Sequence, residues 1–217
     1  MAIEITWLGH SCFRIKGKGA TVITDPYGEE IGYSLGKPKA NIVACSHAHP
    51  GHSNISGVEG SYRVVNGPGE YEIANVLITG MATYHDSEKG AERGKNTIFL
   101  FDMEDVLLLH LGDLGHMLDA AQLEQVSDVG VLMVPVGGVS TIDAVAAAEM
   151  VRRIEPRIVI PMHYQTEALK FHLDPLERFL KEMGIKADVP VQPKLSVTKT
   201  NLPQETQVAL LDYKVAA

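Results

Sequence analysis

Apolar residues in this chain come in short runs separated by turn-forming clusters, the spacing of a strand-rich fold. Segments 3–8, 12–15 and 20–24 predict a meander with Lys16-Gly17-Lys18-Gly19 at its turn. Segments 62–65, 71–73 and 76–84 form a second group, punctuated by Asn66-Gly67-Pro68-Gly69 and Ala74-Asn75, and 97–103 with 106–111 predicts a hairpin about Glu104-Asp105. In the second half helix and strand alternate. Continuous apolar runs at 129–134 and 158–160 predict buried central strands. Asp119 with Gln122 marks one helix start, and Ser140 with Asp143 reads as a capping box ahead of an alanine-rich helix ending near Ile154-Glu155-Pro156. Asp174, with Pro175 just inside and Gly184 beyond, brackets a third helix. The Pro-, Lys- and Thr-rich stretch 190–203 leads into Val208-Ala209-Leu210-Leu211, read as a returning strand. Mixed strands with few helices predict an α/β class, two sheets packed face to face with helices outside.

The residues that end these runs carry the chemistry. The run 41–46 emerges into His47-Ala48-His49-Pro50-Gly51-His52, three of the nine histidines. Histidines two apart in extended chain point to one side, so His47 and His49 can share an ion, while His52, after a Pro-Gly turn, faces elsewhere and can serve a second. Run 21–24 stops at Asp25, 77–84 at His85, 106–112 at Asp113 and 157–162 at His163. Functional groups gather at the carboxyl ends of strands in such architectures, so these five endings are expected to converge on one metal centre.

At 217 residues the chain suits one domain over residues 1–217. A net charge of -8, with 19 scattered Lys and Arg, disfavours nucleic acid as a partner. No apolar run of about 18 residues exists to span a bilayer, and the start, Met1-Ala2-Ile3-Glu4-Ile5-Thr6-Trp7, alternates like a strand rather than a signal peptide. A cytoplasmic protein without membrane partners is expected, with a homo-oligomer compatible. Cys12 and Cys45 lie in apolar runs and suit buried thiols.

The order Asp25, His47-Ala48-His49-Pro50-Gly51-His52, His85, Gly112-Asp113 and Pro161-Met162-His163-Tyr164 resembles the metallo-β-lactamase superfamily of metal-dependent hydrolases. Leu8-Gly9-His10-Ser11 and Thr24-Asp25-Pro26 resemble its ascorbate-6-phosphate lactonase branch. The resemblance implies an αββα sandwich with the metal centre at one edge. It implies His47, His49 and His85 on a first metal, His52 and His163 on a second, Asp113 bridging, and Asp25 behind the histidine loop. One or two divalent ions follow, zinc first, with manganese or iron as alternatives. The family runs His-x-His-x-Asp-His, and this chain has Gly51 at the aspartate. The second position is therefore expected to be weaker, with His10, His116 and Asp86 the nearest substitutes, and a Pro-Gly turn there is expected to use a positive φ.

Such an ion would supply hydroxide at neutral pH and polarise the oxygen under attack. His116 is a candidate proton donor, three residues past Asp113, and His10 is a candidate for substrate contact or acid work. His110 reads as buried structure and His172 as surface. Arg93 and Lys95 offer a clamp for a phosphate or carboxylate. Pro135-Val136-Gly137-Gly138 offers either an anion site or a tight turn. The expected activity is hydrolysis of a small, anionic ester, lactone or phosphoester. A catalytically impaired metal-binding protein, and below that a nuclease, are the alternatives.

Overall fold

The computed structural model describes residues 2–186 and 189–215; Met1, at the head of the predicted opening strand, lies outside them. Strands β1 (Ile3–Gly9), β2 (Cys12–Lys16), β3 (Thr21–Thr24), β4 (Ile42–Ala44) and β5 (Arg63–Val65) form one sheet in sequence order, and β13 (Leu195–Val197) adds to the outer edge of β1. The second sheet runs from β6 (Gly69–Ile73) through β7 (Val76–Tyr84), β8 (Lys95–Met103), β9 (Val106–His110), β10 (Val131–Pro135) and β11 (Ile158–Met162) to β14 (Gln207–Val208). Two-residue loops join β6 to β7 and β8 to β9, and Ala74, Asn75, Glu104 and Asp105 all take positive φ, the primed turn that matches strand twist.

Strand direction decides where the chemistry lies. Because β1 and β2 are antiparallel, β2 and β3 antiparallel and β3 and β4 parallel, the carboxyl ends of β1, β3 and β4 share one edge. In the other sheet β7 and β9 both oppose β8, and β10 and β11 run parallel to β9. The carboxyl ends of β7, β9, β10 and β11 therefore share an edge too.

Ile3, Ile5, Trp7, Phe13 and Ile15 from the first sheet and Phe99, Phe101, Leu108 and Met133 from the second belong to one buried cluster, which fixes the sheets face to face. Strands β10 and β11 are buried at every position, as their continuous apolar runs require. The apolar stripe of α2 (Ala144–Ile154) joins the same core through Ala147, Ala148, Val151 and Ile154. A smaller cluster of Leu8, Ile23, Val43, Tyr27 and Leu173 buries the other face of the first sheet.

Helix boundaries depart from expectation in two places. The α1 helix (Ala120–Glu124) starts with the predicted reciprocal Asp119–Gln122 cap. For α2 the cap is Asp143, which accepts from the Ala146 amide, because Ser140 is held in a preceding turn by the Gly138 carbonyl. For α3 (Leu176–Glu182) Pro175 is itself the extended cap residue, and Asp174 instead pairs with Arg178 at 2.6 Å. Stretch 190–203 holds β12 (Val191–Gln192) and β13 rather than a plain tail. The predicted returning strand splits, with β14 joining the second sheet and β15 (Leu210–Leu211) pairing with β12.

Candidate metal centre

Six strand ends meet at the shared edge. His10 follows β1, Asp25 follows β3, Ser46-His47 follows β4, His85 follows β7, Asp113 follows β9 and His163 follows β11. His10, Asp25 and His163 have φ of 52°, 38° and 52°, a left-handed bend that non-glycine residues seldom adopt and that turns each chain sharply off its strand. All three side chains are buried.

Asp113 is the hub. Its Oδ2 lies 3.1 Å from His52 Nε2, 3.3 Å from His85 Nε2 and 3.3 Å from His163 Nε2. Ligand atoms around a tetrahedral ion with bonds of 2.0–2.1 Å stand about 3.4 Å apart, so this spacing fits a coordination cage. Its loop is fixed by Asn96, whose Oδ1 accepts the Asp113 amide at 3.0 Å while its Nδ2 donates to Thr83 Oγ1 and the Leu111 carbonyl. Ser11 Oγ adds a long contact to Oδ1 at 3.4 Å.

Asp25 sets which nitrogens face the cage. It accepts the Ser46 amide at 2.7 Å, the Ser46 hydroxyl at 2.7 Å and His52 Nδ1 at 2.9 Å. A serine hydroxyl has one proton, here given to Asp25, so His47 Nδ1 at 2.9 Å must donate to Ser46 Oγ. That leaves His47 Nε2 as a lone pair, and it is buried without a protein partner. His85 Nδ1, His163 Nδ1 and His10 Nδ1 are also buried and unpartnered. Nε2 of His85 and His163 faces Asp113, so their Nδ1 atoms point away from that oxygen; His47 Nε2 is the orphaned lone pair that joins those Nε2 atoms, and a metal ion is what this donor set suits. Three triads bring their ligand atoms within 4.8 Å of one another: His47, His85 and Asp113; His47, His49 and His52; and His10, His52 and His163.

Electrostatics follow from burial and pairing. Burial opposes charge on Asp113, but His163 and His52 outweigh it and hold the carboxyl well below its usual range. Burial likewise disfavours charge on Asp25, and its hydrogen bond from His52 keeps it ionised. Burial would lower His52, yet Asp113 and Asp25 push it up to about 10. Burial brings His47 down to about 4 and, with His163 and His52 nearby, takes His10 well below the ordinary imidazole range. His47 and His10 are thus neutral ligand-ready rings at pH 7.

The other expected residues divide. Arg93 lines the cleft with its guanidinium 3.3 Å from the Val139 carbonyl, and Asp86 holds its loop by accepting the amides of residues 88, 90, 92 and 93. That use of both carboxylate oxygens removes Asp86 as a substitute ligand. Lys95 is exposed at the start of β8 and does not line the cleft; strand alternation sends Asn96 inward instead. His116 corrects the proton-donor expectation. Its Nδ1 lies 2.9 Å from the Met117 carbonyl and its Nε2 accepts the Tyr84 amide at 3.1 Å, so both nitrogens are spent on backbone. His116→Ala is expected to keep its metal and to slow substrates with poor and good leaving groups alike, read from the ratio of the two rates. His110 is buried and bonded at both nitrogens, and His172 is exposed, as expected. His49 is exposed, with Nδ1 accepting the Gly51 amide. Gly137 lies against the His163 carbonyl and α2 is capped by its own Asp143, so Pro135-Val136-Gly137-Gly138 is a tight turn and not an anion site.

Sequence reasoning missed Ser11, Ser46 and Asn96, small polar residues beside the strand-end cluster, and Ile31 and Phe171, which line the cleft. Gly115 permits the Asp113 loop to lie on the His85 backbone: a Cβ there would sit 2.3 Å from the Asp86 amide nitrogen. Gly115→Ala is expected to cost about 1–3 kcal/mol, seen as a lowered melting temperature, and to reduce metal content.

The cleft has a volume of about 350 Å³, suited to a small molecule. A larger one of about 540 Å³, by Val129, Pro156 and Arg157, lies at the starts of β10 and β11, away from every metal-suited triad among the described residues.

Residues 4–163 match the family described as Beta-lactamase superfamily domain. The chain is 30% identical over 220 residues to a UPF0173 metal-dependent hydrolase of Thermoplasma acidophilum, covering 89% of this chain and 96% of that one. It is 25% identical over 228 residues to a UPF0173 metal-dependent hydrolase of Methanopyrus kandleri, covering 87% and 96%. A candidate Zn-dependent hydrolase of the metallo-β-lactamase superfamily from Thermotoga maritima superposes with a TM-score of 0.80 at 36% identity, covering 96% of this chain and 98% of that one. Igni18, a metallo hydrolase of Ignicoccus hospitalis, shares the fold at 20% identity and a TM-score of 0.66, covering 91% and 98%. The sheet order, the strand-end cluster and these matches together make the chain a member of the metallo-β-lactamase superfamily, within its UPF0173 group of metal-dependent hydrolases.

Proposed function

We propose that the whole chain acts as one hydrolase domain on a small anionic ester, lactone or phosphoester, with His47, His49, His52, His85, Asp113 and His163 holding the metal. The observation that carries this reading is the convergence of three imidazole Nε2 atoms on Asp113 Oδ2, beside the buried, unpartnered Nε2 of His47. A divalent ion held there would lower the pKa of bound water to about 7 and would polarise the oxygen under attack. Zinc suits the imidazole-rich set, with iron and manganese next.

The protein's own groups do the rest. Asp25 holds the His47 and His52 rings in the orientation that turns Nε2 inward. Arg93, with its guanidinium at the cleft, would bind a substrate phosphate or carboxylate, and this favours an anionic substrate. Phe171 and Ile31 wall the cleft with apolar surface and narrow the access of bulk water. Lactones and phosphoesters lead the substrate choice because of the resemblance to the ascorbate-6-phosphate lactonase branch. No helix among the described residues is long and apolar enough to cross a membrane. The two buried free thiols suit a reducing compartment such as the cytoplasm.

The test is turnover on a panel of lactones, phosphomonoesters, phosphodiesters and carboxylic esters, by chelated protein and by the same protein resupplied with zinc, iron or manganese. Metal-restored hydrolysis of anionic members is expected. Arg93→Ala should then raise KM for anionic substrates about 10-fold or more while sparing neutral analogues, as loss of one charge-assisted contact implies. Full hydrolysis by chelated protein would refute the reading.

A further inference from the structure

Gly51 removes a carboxylate from the second half of the cluster, and the fold puts a histidine beside the gap. His10, His52 and His163 are all buried, and one ring nitrogen from each lies within 4.8 Å of those of the other two. Ring centroids stand 4.2 Å apart for His10 and His163, 4.9 Å for His10 and His52, and 6.0 Å for His52 and His163, a closed triangle. His10 is held there by its backbone: its carbonyl accepts the Trp7 indole at 2.9 Å and the His163 amide at 3.2 Å, tying the loops after β1 and β11 together. Phe171 packs edge-on against the ring at 5.7 Å and 90°. Yet His10 Nδ1 is buried with no protein partner, and so is His163 Nδ1. A bend at φ 52°, a ring fixed on one side by an aromatic edge, and an unsatisfied nitrogen are the marks of a side chain placed for a ligand rather than for packing.

We propose that His10 is a metal ligand that, with His52 and His163 and a shared Asp113, completes a second metal position in place of the carboxylate that Gly51 does not carry. The inference rests on the metal-centre reading above and assigns His10 a binding role instead of acid catalysis. Three imidazoles and one carboxylate make a nitrogen-rich, weakly charged position, which selects zinc, cobalt or nickel over manganese and magnesium. Gly51 does not adopt a positive φ, contrary to the expectation for a Pro-Gly turn. A Cβ there would meet Ile31 Cδ1 at 2.9 Å and His49 Nδ1 at 3.1 Å, and the first is a flexible tip that can turn aside. The position is therefore open to a reciprocal swap of donors.

The experiment is titration of the chelated full-length protein with cobalt and zinc, followed by visible absorption and by bound metal per chain. Wild type should take up two equivalents, and His10→Ala one, with the first equivalent retained. His10→Gln, which keeps a polar side chain in the same space, should also take one, covering the case in which alanine unfolds the loop. His10→Ala with Gly51→Asp should regain the second equivalent and shift its preference toward manganese. Two equivalents in both single variants, one equivalent in wild type, or loss of both equivalents on changing His10 would each overturn the proposal. No bound metal in wild type would overturn the metal-centre reading itself, a result distinct from the other three.

Discussion

Asp113→Ala is expected to empty the centre of metal and abolish turnover. One carboxylate oxygen faces three imidazole nitrogens that arrive from three separate loops, so its removal takes the shared ligand from both of the proposed metal positions at once. The loss should exceed the 10- to 100-fold typical of outer contacts to a metal ligand. Folding should survive, because Asp113 sits at the end of β9 and outside the apolar cluster between the sheets. His52 loses one of the two anions that raise its pKa and keeps the other, Asp25. Metal analysis beside circular dichroism separates emptying of the site from unfolding. A folded Asp113→Ala variant with full metal content would contradict the assignment.

The second large effect is expected from Asp25→Asn, although Asp25 touches no proposed metal position. Its carboxylate accepts three hydrogen bonds, from the Ser46 amide, the Ser46 hydroxyl and His52 Nδ1. An amide has one oxygen and one NH₂ group, so at least one of those donors would face another donor. With the NH₂ group at the Oδ2 place, the Ser46 hydroxyl and His52 contacts reverse together, and His52 and His47 would then present N–H instead of a lone pair to the metal; with it at the Oδ1 place, the Ser46 amide faces a donor and the loop holding His47 loses that tie. Metal affinity should fall by about 10- to 100-fold, with little change in the circular dichroism spectrum. Unchanged affinity would show that the rings are oriented by packing alone.

The sheet architecture was legible because its signals are local. Runs such as Val131–Pro135 and Ile158–Met162 are continuous and short, and each lies where a central strand was expected. The convergence of His47, His85, Asp113 and His163 was legible too, since parallel neighbours must deliver their carboxyl ends to one edge. His116 misled because sequence proximity to Asp113 says nothing about direction; Gly115 lays the loop on the His85 backbone and turns the ring to the Tyr84 amide. Lys95 misled because a loop was expected where β8 already begins, and in a strand adjacent residues face opposite ways. Ser46 carries a tautomer and Asn96 a loop, yet both depend on partners more than a dozen residues away in sequence. Phe171 comes from a segment without periodicity, where no pattern in the sequence points to the cleft.

The central claim, that these strand ends hold metal, is tested most directly by anomalous diffraction from crystals grown with zinc and measured on both sides of its absorption edge. Density is expected within bonding distance of Asp113 Oδ2 and His47 Nε2, and it should vanish below the edge. Crystals of zinc-loaded protein whose anomalous density lies elsewhere, with the His47, His85 and Asp113 cluster clear of it, would contradict the account.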